Sequence, residues 1–161
     1  MPYVRKEIPR VKLLISTTLI NVEQQNKYLS FAKNNGFFGN TKFLGYLDYK
    51  MLPAYLTLAD VVAQPSVGQS MNLTIKEAMS CGTPVITSLE GGEQFKNGTA
   101  GYLVDSKKIS QLSDKITKLL ENGHLRDSMG AKGRQIVADK FSWESVFNKI
   151  DREVDKLINI K

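Results

Sequence analysis

Residues 65–91 read PSVGQSMNLTIKEAMSCGTPVITSLEG, and this stretch decides the fold class. Proline, serine, glycine and asparagine are frequent before Leu73, which predicts a loop, and a short helix is predicted over residues 72–80. Gly82 and Pro84 end that helix before the apolar strand PVIT. A helix that begins directly after a loop presents free backbone N–H groups and the positive end of its dipole. The stretch therefore predicts a site for an anionic ligand such as a phosphate.

Glu77 lies about a turn and a half into this helix, too far along it to face a phosphate at the helix N-terminus. A carboxylate at that position can accept hydrogen bonds from neutral hydroxyl groups, such as a ribose diol. The alternative is an ordinary solvated helix acid beside Lys76. A phosphate next to a sugar diol suggests a nucleotide ligand.

Apolar runs and helical patterns alternate on either side of this stretch. One helix is predicted to start at Asn21, which forms a capping-box pair with Gln24, and to end before Gly36. Short apolar runs separated by helices indicate an α/β fold with a Rossmann-like parallel sheet covered by helices on both faces. The predicted strands are VKLLIS (11–16), KFLG (42–45), DVVAQ (60–64), PVIT (84–87) and YLV (102–104).

Only helices are predicted after Val104, and Ser142 is predicted to cap the last of them. Apolar residues recur at helical spacing in all three helices, so their stripes are predicted to face the core. The sequence shows no repeat, linker or low-complexity segment, and residues 1–161 are predicted to form a single domain. The last stripe comprises Trp143, Val146, Phe147, Ile150, Val154, Leu157 and Ile158.

The composition is that of an ordinary globular protein, with 42% hydrophobic and 24% charged residues. No apolar run is long enough for a membrane span and no signal-peptide pattern is present, so we expect a cytoplasmic protein. The net charge of +6 is spread along the chain. It is compatible with a solvated basic surface, with attraction to anionic lipid headgroups or, least well, with nucleic acid, which would favour a concentrated basic patch.

The segments ADVVAQPS, EAMSCGTPVI and NGTAGYLV follow one another in this order. Together they resemble the donor-binding half of the retaining glycosyltransferases of the GT-B fold, the group 1 or GT4-like family. The resemblance implies one half of a GT-B fold that binds a UDP- or GDP-sugar for hexose transfer to a glycan or lipid-linked acceptor. It implies no cofactor and no metal, and a partner in the form of an N-terminal acceptor-binding domain or companion subunit.

The resemblance also implies roles for particular residues. Glu77 aligns with the glutamate that holds the ribose hydroxyls, and Gln69 with the glutamate that orients the transferred sugar. Two of the implied positions have simpler alternatives: a packed aromatic for Tyr46, and a plain turn for the pair Gly91 and Gly92. The donor-binding residues implied are Tyr46, Leu47, Ser70, Met71, Asn72, Leu73, Thr74, Glu77, Gly91 and Gly92.

The sequence departs from the family pattern in two ways. An amide at Gln69 replaces a charged carboxylate, and the strand with Gly-Arg and a lysine expected before VKLLIS does not appear, so the first strand–helix unit is expected to be missing. These departures favour an alternative, a non-catalytic nucleotide-binding or partner-stabilising domain. The retained Glu77 and the EAMSCGTPVI segment favour the enzyme. A related nucleotide-sugar epimerase is disfavoured because the sequence offers no cluster of histidines and acids for it.

Overall fold

The computed structural model describes residues 1–16, 21–65, 73–89 and 95–158. Strands and helices alternate up to β4, the described residues show no helix between β4 and β5, and helices alone follow β5. The strands are β1 (Leu13–Ser16), β2 (Thr41–Gly45), β3 (Val62–Gln64), β4 (Val85–Ser88) and β5 (Gly101–Val104). The helices are α1 (Pro2–Glu7), α2 (Val22–Asn34), α3 (Leu52–Leu58), α4 (Leu73–Ser80), α5 (Ile109–Glu121), α6 (Gly123–Phe141) and α7 (Trp143–Ile158).

The predicted strands all form, within a residue or two of their expected ends. The predicted start of α2 is confirmed, because the backbone N–H of Gln24 donates to the Asn21 side chain at 2.8 Å. Ser142 caps α7 in the same way, through the backbone N–H of Ser145 at 3.2 Å. The short helix α1 and a 3-10 turn at Phe38–Asn40 were not predicted.

All strand pairs are parallel, as predicted, but the described strands form two sheets rather than one. In the first sheet β1 pairs with β2, and Leu13 lies opposite Thr41. In the second, β4 lies between β3 and β5, and Val85 lies opposite both Val62 and Gly101. The α/β class with parallel strands is confirmed, whereas the expectation of one continuous sheet is not met in the described residues.

Helices cover both faces of the three-stranded sheet. Val85 points toward a cluster that contains Ile75 and Met79 from α4. The next residue, Ile86, points to the opposite face and packs in a second cluster with Leu119 of α5. Successive strand residues face opposite sides, so β4 belongs to two cores and is buried along its whole length. The prediction of helices on both faces is confirmed.

Helix α4 is fixed in place by close contacts at its C-terminal end. The chain leaves it through Gly82, which has a φ of 78°, and the Thr83 hydroxyl donates to the Leu56 carbonyl at 2.6 Å. Helix α6 then passes so close that a methyl group at Gly130 would overlap the Gly82 carbonyl oxygen. Gly133, one turn later, would place a methyl group 3.4 Å from the Met79 side chain. The C-terminal end of α4 is therefore held in place by its contacts with α6 and with the carbonyl of Leu56.

The apolar stripe of α7 does not face the core, and this prediction was wrong. Trp143 is 77% exposed and Leu157 is 73% exposed, and α7 contains no buried residue. The stripes of α5 and α6 do face the core, as predicted, through Leu119 and Met129. Helical spacing showed that α7 has an apolar side, but the described residues include nothing that covers it. None of the helices in the described ranges is both long and apolar enough to cross a membrane.

Candidate functional site

The predicted site lies where the strands of the second sheet end. Strand β3 ends at Gln64, and the chain returns as α4 at Leu73. Leu73 is exposed and Thr74 is half-buried, and both lie in the first turn of the helix, where backbone N–H groups have no partner within the helix. The predicted position of these two residues at the start of a helix is confirmed. Their N–H groups can meet an anion at this end of the sheet.

Glu77 lies on the border between the buried side of α4 and solvent. Its neighbours Ile75, Ala78 and Met79 are fully buried, whereas Glu77 itself is half-buried. Within the part of the chain that the structure describes, the Glu77 carboxylate has no hydrogen bond or ion pair. Both carboxylate oxygens are therefore available to accept hydrogen bonds from a ligand.

The alternative for Glu77, an ordinary solvated helix acid beside Lys76, stays open. The Lys76 ammonium lies over the ring of Phe141 at the end of α6, 4.6 Å from its centroid. This cation–π contact holds the lysine against α6. Among the described residues, Glu77 and Lys76 form no ion pair.

Tyr46 and Leu47 follow the first sheet. Strand β2 ends at Gly45, whose φ of 67° turns the chain sharply, and the Ser16 hydroxyl at the end of β1 donates to the Gly45 carbonyl at 3.1 Å. Tyr46 is 72% exposed, so the alternative of a packed aromatic is wrong. Leu47 is half-buried. An exposed ring beside a tight turn can stack on a flat ligand group.

The remaining predicted site residues lie outside the described residues. They belong to the segments 66–72 and 90–94 and are Gln69, Ser70, Met71, Asn72, Gly91 and Gly92. The role of Gln69 as a sugar-orienting residue stays a prediction.

Gln64 was missed by the sequence reasoning. It is the last residue of β3, and its side-chain oxygen Oε1 is buried and has no hydrogen-bond partner among the described residues. Thr87 is completely buried beside it and donates its hydroxyl to the Gln64 backbone carbonyl at 3.1 Å. A buried polar atom without a partner is costly, and such atoms occur where a ligand or water completes the bonding. The available signal was the polar ending of the apolar run DVVAQ.

The largest described groove and a search for metal-binding side chains add nothing to the candidate site. A groove of about 750 Å³ lies between α1 and α5, and none of the predicted site residues lines it. In the described ranges no three or more His, Cys, Asp or Glu side chains form a group that could hold a metal ion. Burial lowers the pKa of the Met1 amino group, which belongs to neither the groove nor the site.

Solved structures share this fold over almost the whole chain. Sucrose-phosphate synthase from Thermosynechococcus elongatus matches with a TM-score of 0.85 at 24% identity, covering 99% of this chain and 42% of that one. HepE from Anabaena, solved in complex with UDP-glucose, matches with a TM-score of 0.80 at 22% identity, covering 92% of this chain and 42% of that one. These likenesses show that the chain has the fold of one part of a GT-B enzyme.

A curated relative points the same way. The GDP-mannose-dependent monoacylated alpha-(1-6)-phosphatidylinositol monomannoside mannosyltransferase of Corynebacterium glutamicum is 34% identical over 113 residues, which are 65% of this chain. The match spans 30% of the length of that relative. The family model described as glycosyl transferases group 1 matches residues 1–136. The chain therefore belongs to the group 1 glycosyltransferase family.

Proposed function

We propose that this chain is the nucleotide-sugar-binding domain of a retaining hexosyltransferase. It binds the donor, a UDP- or GDP-sugar, and presents the hexose to a glycan or lipid-linked acceptor. The observation that carries the proposal is Glu77, a half-buried carboxylate without a partner among the described residues. Glu77 stands on α4, whose N-terminus lies near the ends of the strands. The chain belongs to the group 1 glycosyltransferase family.

The arrangement suits a nucleoside diphosphate. Backbone N–H groups in the first turn of α4, at Leu73 and Thr74, would hold the diphosphate and stabilise the charge that develops on it when the sugar leaves. Glu77, about one turn further along, would accept hydrogen bonds from the two ribose hydroxyls. The exposed ring of Tyr46 and the backbone of Leu47 would flank the base. This charge stabilisation relies on backbone dipoles and requires no metal ion.

GDP-mannose and UDP-glucose are the donors to test first. The Corynebacterium relative is GDP-mannose-dependent, and HepE was solved in complex with UDP-glucose. Both GDP-mannose and UDP-glucose belong to the class of nucleoside diphosphate hexoses. A calorimetric panel of GDP-mannose, UDP-glucose and the corresponding bare nucleotides against the purified chain would identify the donor.

A matched pair of variants tests the role of Glu77. We expect Glu77→Ala to weaken binding of the best nucleotide by about 1.5–3 kcal/mol, or roughly 10- to 150-fold, because it removes hydrogen bonds to a charged group. Asp127→Ala, at an exposed acid on α6, should leave affinity unchanged. Thermal stability should barely change in either variant. Equal affinity for wild type and Glu77→Ala would reduce Glu77 to a surface acid.

The acceptor side is proposed to lie on another domain or subunit. The exposed stripe of α7 supports this, because an uncovered apolar surface of this kind marks an interaction site. A protein companion fits α7 better than a lipid surface does, since membrane-binding helices are rich in basic residues. The charged residues of α7 are Glu144, Asp151, Glu153 and Asp155 against Lys149, Arg152 and Lys156.

We place the enzyme in the cytoplasm, with contact to a membrane surface through its lipid-linked acceptor. The alternative is a domain that binds nucleotide or stabilises a companion without transferring sugar. The amide at Gln69 departs from the family pattern in the direction of that alternative, whereas membership of the group 1 glycosyltransferase family favours the enzyme. Transfer assays on the chain together with its companion separate the two, because only the enzyme would turn over donor.

A further inference from the structure

The turn that joins α2 to β2 carries exposed aromatic side chains. Phe37 is buried at this turn, and its ring meets the Phe31 ring of α2 edge-on, with 6.0 Å between the centroids. Phe31 itself is 56% exposed, and Phe38, at the start of the 3-10 turn, is 51% exposed. Tyr28 is also exposed and is a neighbour of Phe31 on α2, because the two residues are three positions apart. Three exposed rings therefore lie close together on the surface formed by α2 and this turn.

Two cations from earlier in the chain reach the same turn. The Arg5 guanidinium donates to the carbonyl of Gly36, and Lys12 Nζ donates to the carbonyl of Gly39 at 3.2 Å. These two glycines lie on either side of Phe38. A backbone carbonyl carries no net charge, so both side chains keep their positive charge beside the exposed ring.

A third cation lies on α2 itself. Lys27 is four positions before Phe31, so their side chains are neighbours on the helix surface. We call this group of cations and exposed rings the basic aromatic patch, and it consists of Arg5, Lys12, Lys27, Tyr28, Phe31 and Phe38.

Acidic residues do not offset the charge of the basic aromatic patch. The sequence has no Asp or Glu between Glu23 and Asp48, a stretch that contains three lysines. The ion pairs among the described residues involve none of the three patch cations. Glu7, the acid of α1, lines the groove toward α5 instead. The patch is therefore a positively charged surface with apolar rings exposed in it.

This combination suits a membrane that contains anionic lipids. Tyrosine is enriched at the headgroup level of membranes, and phenylalanine is typical of helices that lie in that layer. Lysine and arginine near such a membrane are attracted by its negative surface potential. The stripe of α7 lacks this complementarity, because charges of both signs accompany it.

We propose that the basic aromatic patch docks the chain on an anionic lipid bilayer. The three rings would enter the headgroup layer, and the three cations would bind lipid phosphates. The proposal rests on the proposed function and deepens it, because an enzyme with a lipid-linked acceptor works at a membrane surface. Three rings bury little apolar area, so the contact would be shallow, reversible and weakened by salt.

The first test measures binding of the full chain to vesicles by sedimentation. One set of vesicles contains phosphatidylglycerol in phosphatidylcholine, and the other contains phosphatidylcholine alone. We expect binding to the anionic set that falls as salt is added, because salt screens the attraction. Equal binding to the two sets would mean that the apolar stripe of α7 drives the association, and the proposal would be wrong.

A pair of double variants tests the cations. We expect Lys12→Gln with Lys27→Gln to weaken binding to the anionic vesicles by roughly 10- to 30-fold, about fivefold for each cation removed. The matched control is Lys132→Gln with Lys140→Gln, which changes the net charge equally at exposed positions of α6. The control should bind nearly as well as wild type. An equal loss in both double variants would show a response to net charge alone and would overturn the proposal.

Phe38 tests the contribution of the rings. Phe38→Ser should weaken binding to the anionic vesicles by roughly 3- to 10-fold, because a ring that enters the headgroup layer is lost. Phe38→Trp, made together with Trp143→Phe, should retain binding and place a single tryptophan in the patch. Its emission should shift to shorter wavelength with anionic vesicles only. Binding without that shift would show that Phe38 stays in water, which contradicts the proposed orientation.

Two further measurements separate the proposal from its rivals. Exposed rings among cations can also bind single-stranded nucleic acid, so an oligonucleotide is titrated into the vesicle mixture. Displacement of the chain at oligonucleotide concentrations below those of the lipid would make nucleic acid the occupant and overturn the proposal. Donor binding is measured without vesicles on the same samples. Donor binding without vesicle binding refutes only the membrane contact, whereas vesicle binding without donor binding refutes the proposed donor function and supports the patch.

Discussion

Gly130 decides how closely α6 can approach the helix of the candidate site. Helix propensity alone predicts that Gly130→Ala would stabilise α6 by about 0.5–1 kcal/mol. The contact with Gly82 predicts the opposite, because the new methyl group would overlap a backbone carbonyl. Overpacking of this kind costs about 1–3 kcal/mol, so we expect a lower free energy of unfolding in urea titrations.

The control for this prediction is Gly39→Ala. A methyl group there would meet nothing within 4 Å, and we expect a change within about 0.5 kcal/mol. A Gly130→Ala chain as stable as wild type would show that α6 can move away from the Gly82 turn without loss.

Gln69 carries the sharpest chemical prediction, although it lies outside the described residues. A carboxylate accepts hydrogen bonds from sugar hydroxyls more strongly than an amide and complements positive charge that develops on the sugar. Gln69→Glu should therefore raise affinity for the intact nucleotide sugar and leave affinity for the bare nucleoside diphosphate nearly unchanged. Parallel calorimetric titrations with both ligands measure the difference. An equal shift for the two ligands would mean that residue 69 does not face the sugar.

Individual residues differ in how well their sequence context predicts them. The Asn21 cap was predictable because it depends on residues three positions apart in one chain segment. The contact of Lys76 with Phe141 was not, since the two residues are far apart along the chain. The burial of the Gln64 side-chain oxygen Oε1 also depends on packing between distant parts of the chain, which local sequence does not describe.

Helix α7 is the element whose environment the sequence failed to predict. We expect Phe147→Ala and Leu157→Ala to change the free energy of unfolding of the isolated chain by no more than about 0.5 kcal/mol, because both side chains are exposed. Ile86→Ala, in the fully buried β4, should cost about 2–5 kcal/mol. Denaturant titrations of the three variants compare them. A large loss at Leu157 would show that the α7 stripe is covered within the chain.

Periodicity explains both the success and the failure among the helices. An apolar residue at every third or fourth position establishes that a helix has an apolar side. It does not establish that another part of the same chain covers that side. The stripes of α5 and α6 meet β4 and β5, whereas the stripe of α7 has no such partner in the described ranges.

For the molecule as a whole, we expect the isolated chain to fold and to show no sugar transfer. Catalysis requires donor and acceptor to be held in a productive arrangement, and the acceptor is proposed to lie on another domain or subunit. Incubation with radiolabelled GDP-mannose or UDP-glucose and a panel of glycan and lipid-linked acceptors provides the test. Robust turnover by the pure chain would contradict the proposal that the acceptor site lies on another domain or subunit.

The α/β class followed from the alternation of apolar runs and helices, and the parallel pairing of the described strands agrees with it. The division into two sheets was not predicted. Sequence patterns identify strands one at a time, whereas pairing depends on which strands are neighbours in space.

The exposed stripe of α7 has a consequence for the life of the protein in the cell. A long apolar surface left uncovered is what chaperones and quality-control proteases recognise in unassembled subunits. We therefore expect the steady-state abundance of this chain to follow the supply of whatever covers α7. The exposed stripe of α7 would then lead to the degradation of copies that have not bound their companion.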